Sequence, residues 1–266
     1  MSVRQAYLTI DDSPGAHTDD LVAFLAGRNI PAILFCRGDL LEADPAPIVR
    51  AIEQGFVIGN HLYHHISAGE RDAAEVINDI RATEALIDAA YRSAGRARPG
   101  KYIRFPYMDR DYNWFLPDSA PDTDALTQLH RVFDNLSVPG PDNPLPDALA
   151  DKRAVLHDYL ANDGFNQPFA GVDYDWYRQA RLHELPDCPF TVNSYDWMLT
   201  ERHLARDWPY QSLDELKHRL HDHPFLNNTT SRDIVLAHDQ AEITDVTTEL
   251  IAFMQDSLGV EFAGDF

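Results

Sequence analysis

The stretch Ala6-Tyr7-Leu8-Thr9-Ile10 is apolar and β-favouring, and it breaks off at Asp11-Asp12-Ser13-Pro14-Gly15. Such a run, closed by Asp, Ser, Pro and Gly, reads as a strand that ends in a polar loop. Successive strand residues point to opposite faces, but where a strand turns into a loop two neighbouring side chains can reach one pocket. Strand and helix signals alternate along the rest of the chain, as a wound α/β fold requires.

Thr18-Asp19-Asp20 opens a helix carrying Leu21, Phe24 and Leu25, with acids in its first turn suited to the helix dipole. A short helix over Ile48 to Ile52 is closed by Gly55, before the strand Phe56-Val57-Ile58. From Arg71 to Ser93, Val76, Ile77, Ile80, Leu86, Ile87 and Ala90 make a helix-period stripe interrupted only at Thr83. Tyr102 to Phe105 and Phe190 to Val192 read as strands. A helix from Ser212 to Leu220 opens with a Ser-x-x-Glu box at Ser212 and Glu215. A last helix over Ile243 to Leu258 precedes the strand Val260-Glu261-Phe262.

Asp11, Asp12, His61 and His65 offer one carboxylate and two imidazoles to a divalent metal and leave a second carboxylate to act as a base. Catalytic zinc sites commonly use three protein ligands and keep one position open. The spacing of His61 and His65 puts both rings on one face of a helical turn. Taken singly, each feature has a plainer reading: Asp-Asp as a turn or helix cap, the histidine pair as no ligand at all.

Taken in order, the motifs resemble those of polysaccharide deacetylases of the NodB-homology type, carbohydrate esterase family 4. The matching segments are Thr9-Ile10-Asp11-Asp12-Ser13, His61 to His65 after Ile58-Gly59-Asn60, Arg104-Phe105-Pro106-Tyr107, Asp196-Trp197 and Leu236-Ala237-His238-Asp239. Ala32 to Gly38 is similar to the family's second strand. The resemblance implies a distorted, incomplete (β/α) barrel with catalysts at strand ends. It implies that Asp12, His61 and His65 hold the metal, zinc first and cobalt, nickel or manganese as alternatives. The metal would polarise an acetyl carbonyl and acidify a bound water. Asp11 would be the general base, with Arg104 keeping it ionised. His238 would protonate the leaving group, oriented by Asp196. Pro106 and Tyr107 would contact substrate, the Tyr107 N–H at the oxyanion, while Trp197 and Leu236 would wall the acetyl methyl.

Several positions depart from the family pattern. Ser13 replaces a Gly, Leu62 and His64 replace hydroxyl residues, Ile66 replaces a Pro, and Asn193 stands where an Asp is usual. None of these removes a ligand, base or acid. His64 adds an imidazole that is a ligand, a substrate contact or a solvent-facing ring. The stretch from Arg104 to Asp196 is longer than the family usually has, so the chain reads as one domain, 1–266, with an insertion at about 109–189. That insertion carries Pro117, Pro121, Pro139, Pro141, Pro144 and Pro146 among Trp114, Phe115, Phe133, Phe165, Phe169, Tyr174, Trp176 and Tyr177. Long proline-rich loops often frame binding clefts, and the other reading is an extra packing layer with its aromatics buried. Helical patches are expected at 126–133, 148–160 and 173–182.

At 266 residues, one large core is possible. With 43 acids against 22 Lys plus Arg, the formal charge of −21 argues against nucleic acid or an anionic membrane as partner. The same charge favours a neutral or amino-sugar substrate over an anionic polymer. The two cysteines suggest no disulfide framework. Met1 to Gln5 lead straight into the first strand without an apolar leader, so a cytoplasmic location is expected, or a periplasmic or secreted one if a leader has been removed. The expected activity is removal of acetyl from an N-acetylated sugar or oligosaccharide, with an O-acetyl ester second; the oligomeric state is open. The alternatives are hydrolysis of a small non-sugar amide or imide, a catalytically silent carbohydrate binder, and an iron oxygenase with a two-His, one-carboxylate triad. An oxygenase of that kind would carry His-x-Asp and an all-β core.

Overall fold

The strands are β1 (Arg4–Ser13), β2 (Ala32–Cys36), β3 (Val57–Asn60), β4 (Val192–Asn193), β5 (Asp233–His238) and β6 (Val260–Phe262). In this computed structural model, which describes residues 3–108, 147–179, 181–206, 208–227 and 229–266, they form a parallel sheet in the order β3-β2-β1-β5-β4. β6 pairs with the first residues of β1. β1 is central, and it is buried from Ala6 through Ser13. A strand covered on both faces reads as a continuous apolar run.

Tyr102 to Phe105, expected as a strand, joins the sheet only by a bridge between Asn60 and Ile103, and β4 shrinks to two residues. The Cys188 N–H donates to the Ile103 carbonyl at 2.7 Å, which carries the curl of the sheet further round. Among the described residues no ladder joins the two edges, so the barrel is incomplete.

The helices are α1 (Thr18–Gly27), α2 (Gly38–Ala43), α3 (Ala46–Glu53), α4 (Ala73–Ser93), α5 (Asp147–Asn162), α6 (Asp175–Gln179), α7 (Glu201–Leu204), α8 (Leu213–His221) and α9 (Thr244–Asp256). The apolar stripe of α4 faces inward. Thr83, its one polar interruption, is buried and donates its hydroxyl to the Asp79 carbonyl at 3.2 Å, so it costs the core little. Two acids, Asp79 and Glu84, are also buried on this helix.

The described part of the insertion adopts the packing-layer arrangement. Leu156 and Leu160 of α5, with Phe165, are buried against Val76 and Ile80 of α4 and against Leu62, Ile103 and Phe105. Phe169, Tyr174, Trp176 and Tyr177 are buried in the main core, where Phe169 lies 5.2 Å from Tyr7. Apolar rings of this size release more free energy when buried than when left at a cleft rim. The expected helix at 126–133 and the prolines from Pro117 to Pro146 lie outside the described residues.

The chain on either side of α6 is fastened to the sheet through Asp233. Its Oδ1 accepts from the Tyr174 hydroxyl at 3.0 Å and from Thr191 Oγ1 at 2.7 Å. Burial pushes this carboxyl up to about 7, against those two hydrogen bonds. A folded-state value above the unfolded one means that the native state holds the extra proton. The contribution is therefore complete below the ordinary value of 3.8 and lost as pH rises to about 7. Melting temperatures followed from about pH 4 to about pH 7.5 are expected to fall less steeply in Asp233→Asn than in the native protein.

Candidate active site

Asp11 and Asp12 lie at the C-terminal end of β1, where Asp11 is paired in register with His238 of β5. The β1–β2 register slips between Ile10 and Ser13, and Asp12 adopts φ 67°. This left-handed residue breaks the strand alternation, so both carboxylates face one cleft.

His61 and His65 are brought together by a different route from the helical turn that their spacing suggests. They sit in an irregular loop in which Leu62 has φ 59° and His65 has φ 52°, conformations that are uncommon for residues other than glycine. The loop is held from beneath. Asn60 Oδ1 accepts from the Leu62 N–H at 2.9 Å, while Asn60 Nδ2 donates to Ile80 O and Glu84 Oε1. Asp79 accepts from the Tyr63 and His64 N–H groups at 2.8 and 3.0 Å and lies 2.6 Å from His64 Nδ1. His64 is thus tied to Asp79 with its ring exposed, and it stands outside the ligand group.

Asp12, His61 and His65 each offer an atom within 4.8 Å of the others. His61 Nδ1 donates to the Arg104 carbonyl at 2.7 Å, which leaves the Nε2 lone pair free for a cation. His65 Nε2 is 3.0 Å from Asp12 Oδ1, and no hydrogen bond of good geometry satisfies that buried oxygen. The other oxygen, Asp12 Oδ2, accepts from Gln240 Nε2 at 2.6 Å. Burial works against charge on Asp12, but the close approach of His65 and the charges that His61, His65 and His238 can carry hold its carboxyl well below the usual range. Burial also lowers His61 and keeps it in the neutral form that a ligand requires. An ionised carboxylate with one oxygen unmatched, beside two imidazoles, fits a divalent cation such as zinc.

Asp11 stands beside this group, with Oδ2 3.8 Å from His61 Nε2. Its Oδ1 accepts from Arg104 Nη1 at 2.9 Å. The Arg104 guanidinium is fully buried and also donates to Thr9 Oγ1, Cys188 O and Pro189 O. Across the cleft His238 Nδ1 lies 2.7 Å from Asp196 Oδ1, and the His238 N–H donates to Asp196 Oδ2. Burial alone would lower the His238 imidazole, but the Asp196 charge and hydrogen bond raise it to about 9. Arg104 and Asp196 lie beneath the surface rather than lining it.

The cleft encloses about 730 Å³. Tyr107, Trp197 and Leu236 line it, whereas Pro106 is buried and does not. Tyr107 is 66% exposed, with its ring 4.8 Å from His65. The rest of the wall comes from residues 190–210, chiefly Tyr195, His203, Trp208 and Tyr210; no described residue of 147–189 contributes.

The polysaccharide deacetylase family model matches residues 1–115. A peptidoglycan-N-acetylglucosamine deacetylase of Bacillus cereus is 36% identical over 111 residues, 40% of this chain and 38% of that protein. A chitooligosaccharide deacetylase of Rhizobium leguminosarum bv. phaseoli is 28% identical over 204 residues, 70% of this chain and 84% of that protein. Among solved structures, the family 4 carbohydrate esterase from Streptomyces lividans in complex with acetate superposes with TM-score 0.54 at 16% identity, covering 97% of this chain and 90% of that one. Residues 1–115 are thus similar to the polysaccharide deacetylase family, and the chain shares the fold of a family 4 carbohydrate esterase. The match spans well under half of the Bacillus protein.

Sequence reasoning missed five supports of this site. Gln240 follows directly on the Leu236-Ala237-His238-Asp239 motif and orients Asp12. Thr247 donates to Asp196 Oδ2 at 2.9 Å from α9. Asp79 and Glu84 were visible as acids on an otherwise apolar helix face. Asp239, though part of a motif, turns away from the cleft to accept from the Gly15 N–H and Thr18 Oγ1, anchoring the loop after β1. A Cβ on Gly15 would come within 2.5 Å of the Asp239 carbonyl oxygen, so this approach requires glycine.

Calorimetric titration with zinc is expected to show stoichiometric binding that is lost in His61→Ala and kept in Asp11→Asn. Binding should weaken by about 10–100-fold in Gln240→Ala, the usual effect of removing a partner that orients a ligand. Arg104→Met leaves Asp11 buried without its cation and is expected to cost about 3–5 kcal/mol of stability in denaturant unfolding.

Proposed function

We propose that this protein is a metal-dependent deacetylase that hydrolyses the acetamide of an N-acetylated sugar or oligosaccharide. One observation supports the reading above all: Asp11 paired with Arg104 and His238 paired with Asp196 face one cleft from either side of the Asp12-His61-His65 group. A mere binder needs neither pair. The alternating β and α elements weigh against the oxygenase reading. The peptidoglycan and chitooligosaccharide deacetylases to which the chain is similar support an acetamido sugar as substrate class.

A divalent cation bound by Asp12, His61 and His65 supplies Lewis acidity toward the acetyl carbonyl and toward water. Asp11 takes the proton from the attacking water, its carboxylate held by Arg104 in the orientation a base needs. The Tyr107 N–H, presented by a left-handed backbone, is offered to the developing oxyanion. His238 delivers a proton to the departing nitrogen, and Asp196 keeps that proton on the ring. Trp197 and Leu236 enclose the methyl and exclude water from it. Zinc is proposed first, with cobalt, nickel or manganese as substitutes.

Acetate release from N-acetylglucosamine oligomers and from acetylated xylan is expected to stop with chelator and to return with zinc or cobalt. Asp11→Asn should retain metal while losing turnover by a factor of about 10²–10⁴, the usual contribution of a positioned base; full activity in that variant would remove Asp11 from the mechanism. Because His238 must be protonated, kcat/KM should decline as pH rises, with an alkaline limb no higher than about 9. A cation in the ligand group adds positive charge and can only lower that limb. Asp196→Asn removes the charge that raises His238 and should shift the limb to lower pH.

A further inference from the structure

The cleft contradicts the charge of the chain around it. The sequence carries 43 acids against 22 Lys plus Arg, yet among the described residues lining the cleft the only carboxylates are Asp11 and Asp12. The first is neutralised by Arg104, and the second faces two imidazoles. Asn193, where the family usually has an Asp, also lines the cleft, so one more negative charge is missing from this wall.

The same wall carries a guanidinium. Arg202 of α7 is exposed and lines the cleft, and among the described residues no carboxylate pairs with it. Arg28, Arg50, Arg98 and Arg232, in contrast, each rest on an Asp or Glu. A cation with no carboxylate partner among the described residues of so acidic a chain, inside this cleft, is available to a ligand. Its surroundings suit a ring with a charged arm. His203 packs 4.8 Å from Trp197 and 5.9 Å from Trp208, and Trp197 meets Trp208 edge-on at 5.2 Å. His203 Nδ1 lies 2.6 Å from Thr200 Oγ1. Burial and the nearby Arg202 charge lower the His203 imidazole, so this ring adds no second cation and the positive charge of the wall resides on Arg202.

We propose that Arg202 is a specificity-determining residue that reads an anionic oxygen group, carboxylate or phosphate, on a small acetamido substrate whose ring rests against the Trp197–Trp208 wall. This inference rests on the deacetylase reading and narrows its substrate class. A long polyanion would be repelled by the −21 body of the protein, whereas a single anionic group beside Arg202 gains a charge-assisted hydrogen bond. The proposal therefore selects small, singly substituted substrates over acidic polymers.

The test compares zinc-loaded native protein with Arg202→Gln and Arg202→Lys on matched acetamides: N-acetylglucosamine, its 6-phosphate, and N-acetylmuramic acid as the carboxylate counterpart. Native kcat/KM is expected to favour at least one anionic acetamide by about tenfold or more, mainly through KM, the scale of one hydrogen bond to a charged group. Whether the phosphate or the carboxylate is preferred identifies the group that is read. Arg202→Gln should bring the anionic substrate down to the neutral rate and leave the neutral rate unchanged, while Arg202→Lys keeps part of the preference. A second readout needs no turnover: tryptophan fluorescence of metal-free protein should respond to the preferred anionic sugar at lower concentration than to its neutral counterpart, and the difference should vanish in Arg202→Gln. Equal or better hydrolysis of the neutral sugar, or an equal loss on all substrates in Arg202→Gln, would overturn the inference and leave the deacetylase reading intact. No hydrolysis of any acetamide with metal restored would overturn both.

Discussion

The buried guanidinium of Arg104 is the contact on which the rest of the site depends. An unpaired charge at that depth would be prohibitive, and the fold offsets it with acceptors drawn from two widely separated parts of the chain. These are Thr9 and Asp11 of β1 and the Cys188 and Pro189 carbonyls ahead of β4. Its planar face lies over Phe35 of β2 at 4.6 Å, and its own carbonyl fixes the His61 tautomer. Asp11, His61 and the barrel edge are therefore registered against one residue. The residues at the catalytic end of the sheet cannot shift independently, which is the pre-organisation that charge development in a transition state requires.

Around that anchor, the site is assembled from backbone conformations that cost energy. Asp12, Leu62, His65, Tyr107 and Tyr195 all have positive φ, each at an expense of order 1–3 kcal/mol. Buried side chains elsewhere hold them in place. Asn60 and Asp79 grip the histidine loop, Glu84, itself held by Arg98, grips Asn60 in turn, and Asn193 Oδ1 accepts from the Tyr195 N–H at 2.9 Å. Leu156, Leu160 and Phe165 of the insertion close the cavity beneath Leu62. The described part of the insertion thereby acts on the histidine loop from behind, through packing, while the segment around Trp197 and Trp208 supplies cleft wall.

Two ionisable groups within one cleft are driven in opposite directions by what surrounds them. Asp12 is buried and His238 largely so, and desolvation alone would leave each neutral. Imidazoles hold the first as a carboxylate, and Asp196 holds the second as an imidazolium. Opposed shifts of this kind separate the groups that bind cations from the groups that give up protons. The net charge of the chain says nothing of this arrangement, since among the described acids only Asp11 and Asp12 line the cleft, which also carries Arg202.

The ordered motifs, each a ligating or proton-carrying residue at the end of an apolar run, were enough to identify the family, the α/β alternation and the candidate ligand set, because apolar periodicity and residue chemistry are local properties. Most helices could be placed in the same way, with α4 the clearest. The geometry that makes those residues a site was hidden. A spacing of four suggested a helical turn for His61 and His65, whereas tertiary hydrogen bonds from α4 impose left-handed residues there. The aromatics of residues 165–177 read equally well as cleft or core, since a ring carries no mark of which side it will face until the sheet exists to cover it. Gln240, Thr247 and Asp79 act only through partners that the fold delivers. Sequence alone determined which chemistries were present, and tertiary structure decided which of them meet, because convergence depends on burial and on hydrogen bonds between segments with no local relation to one another.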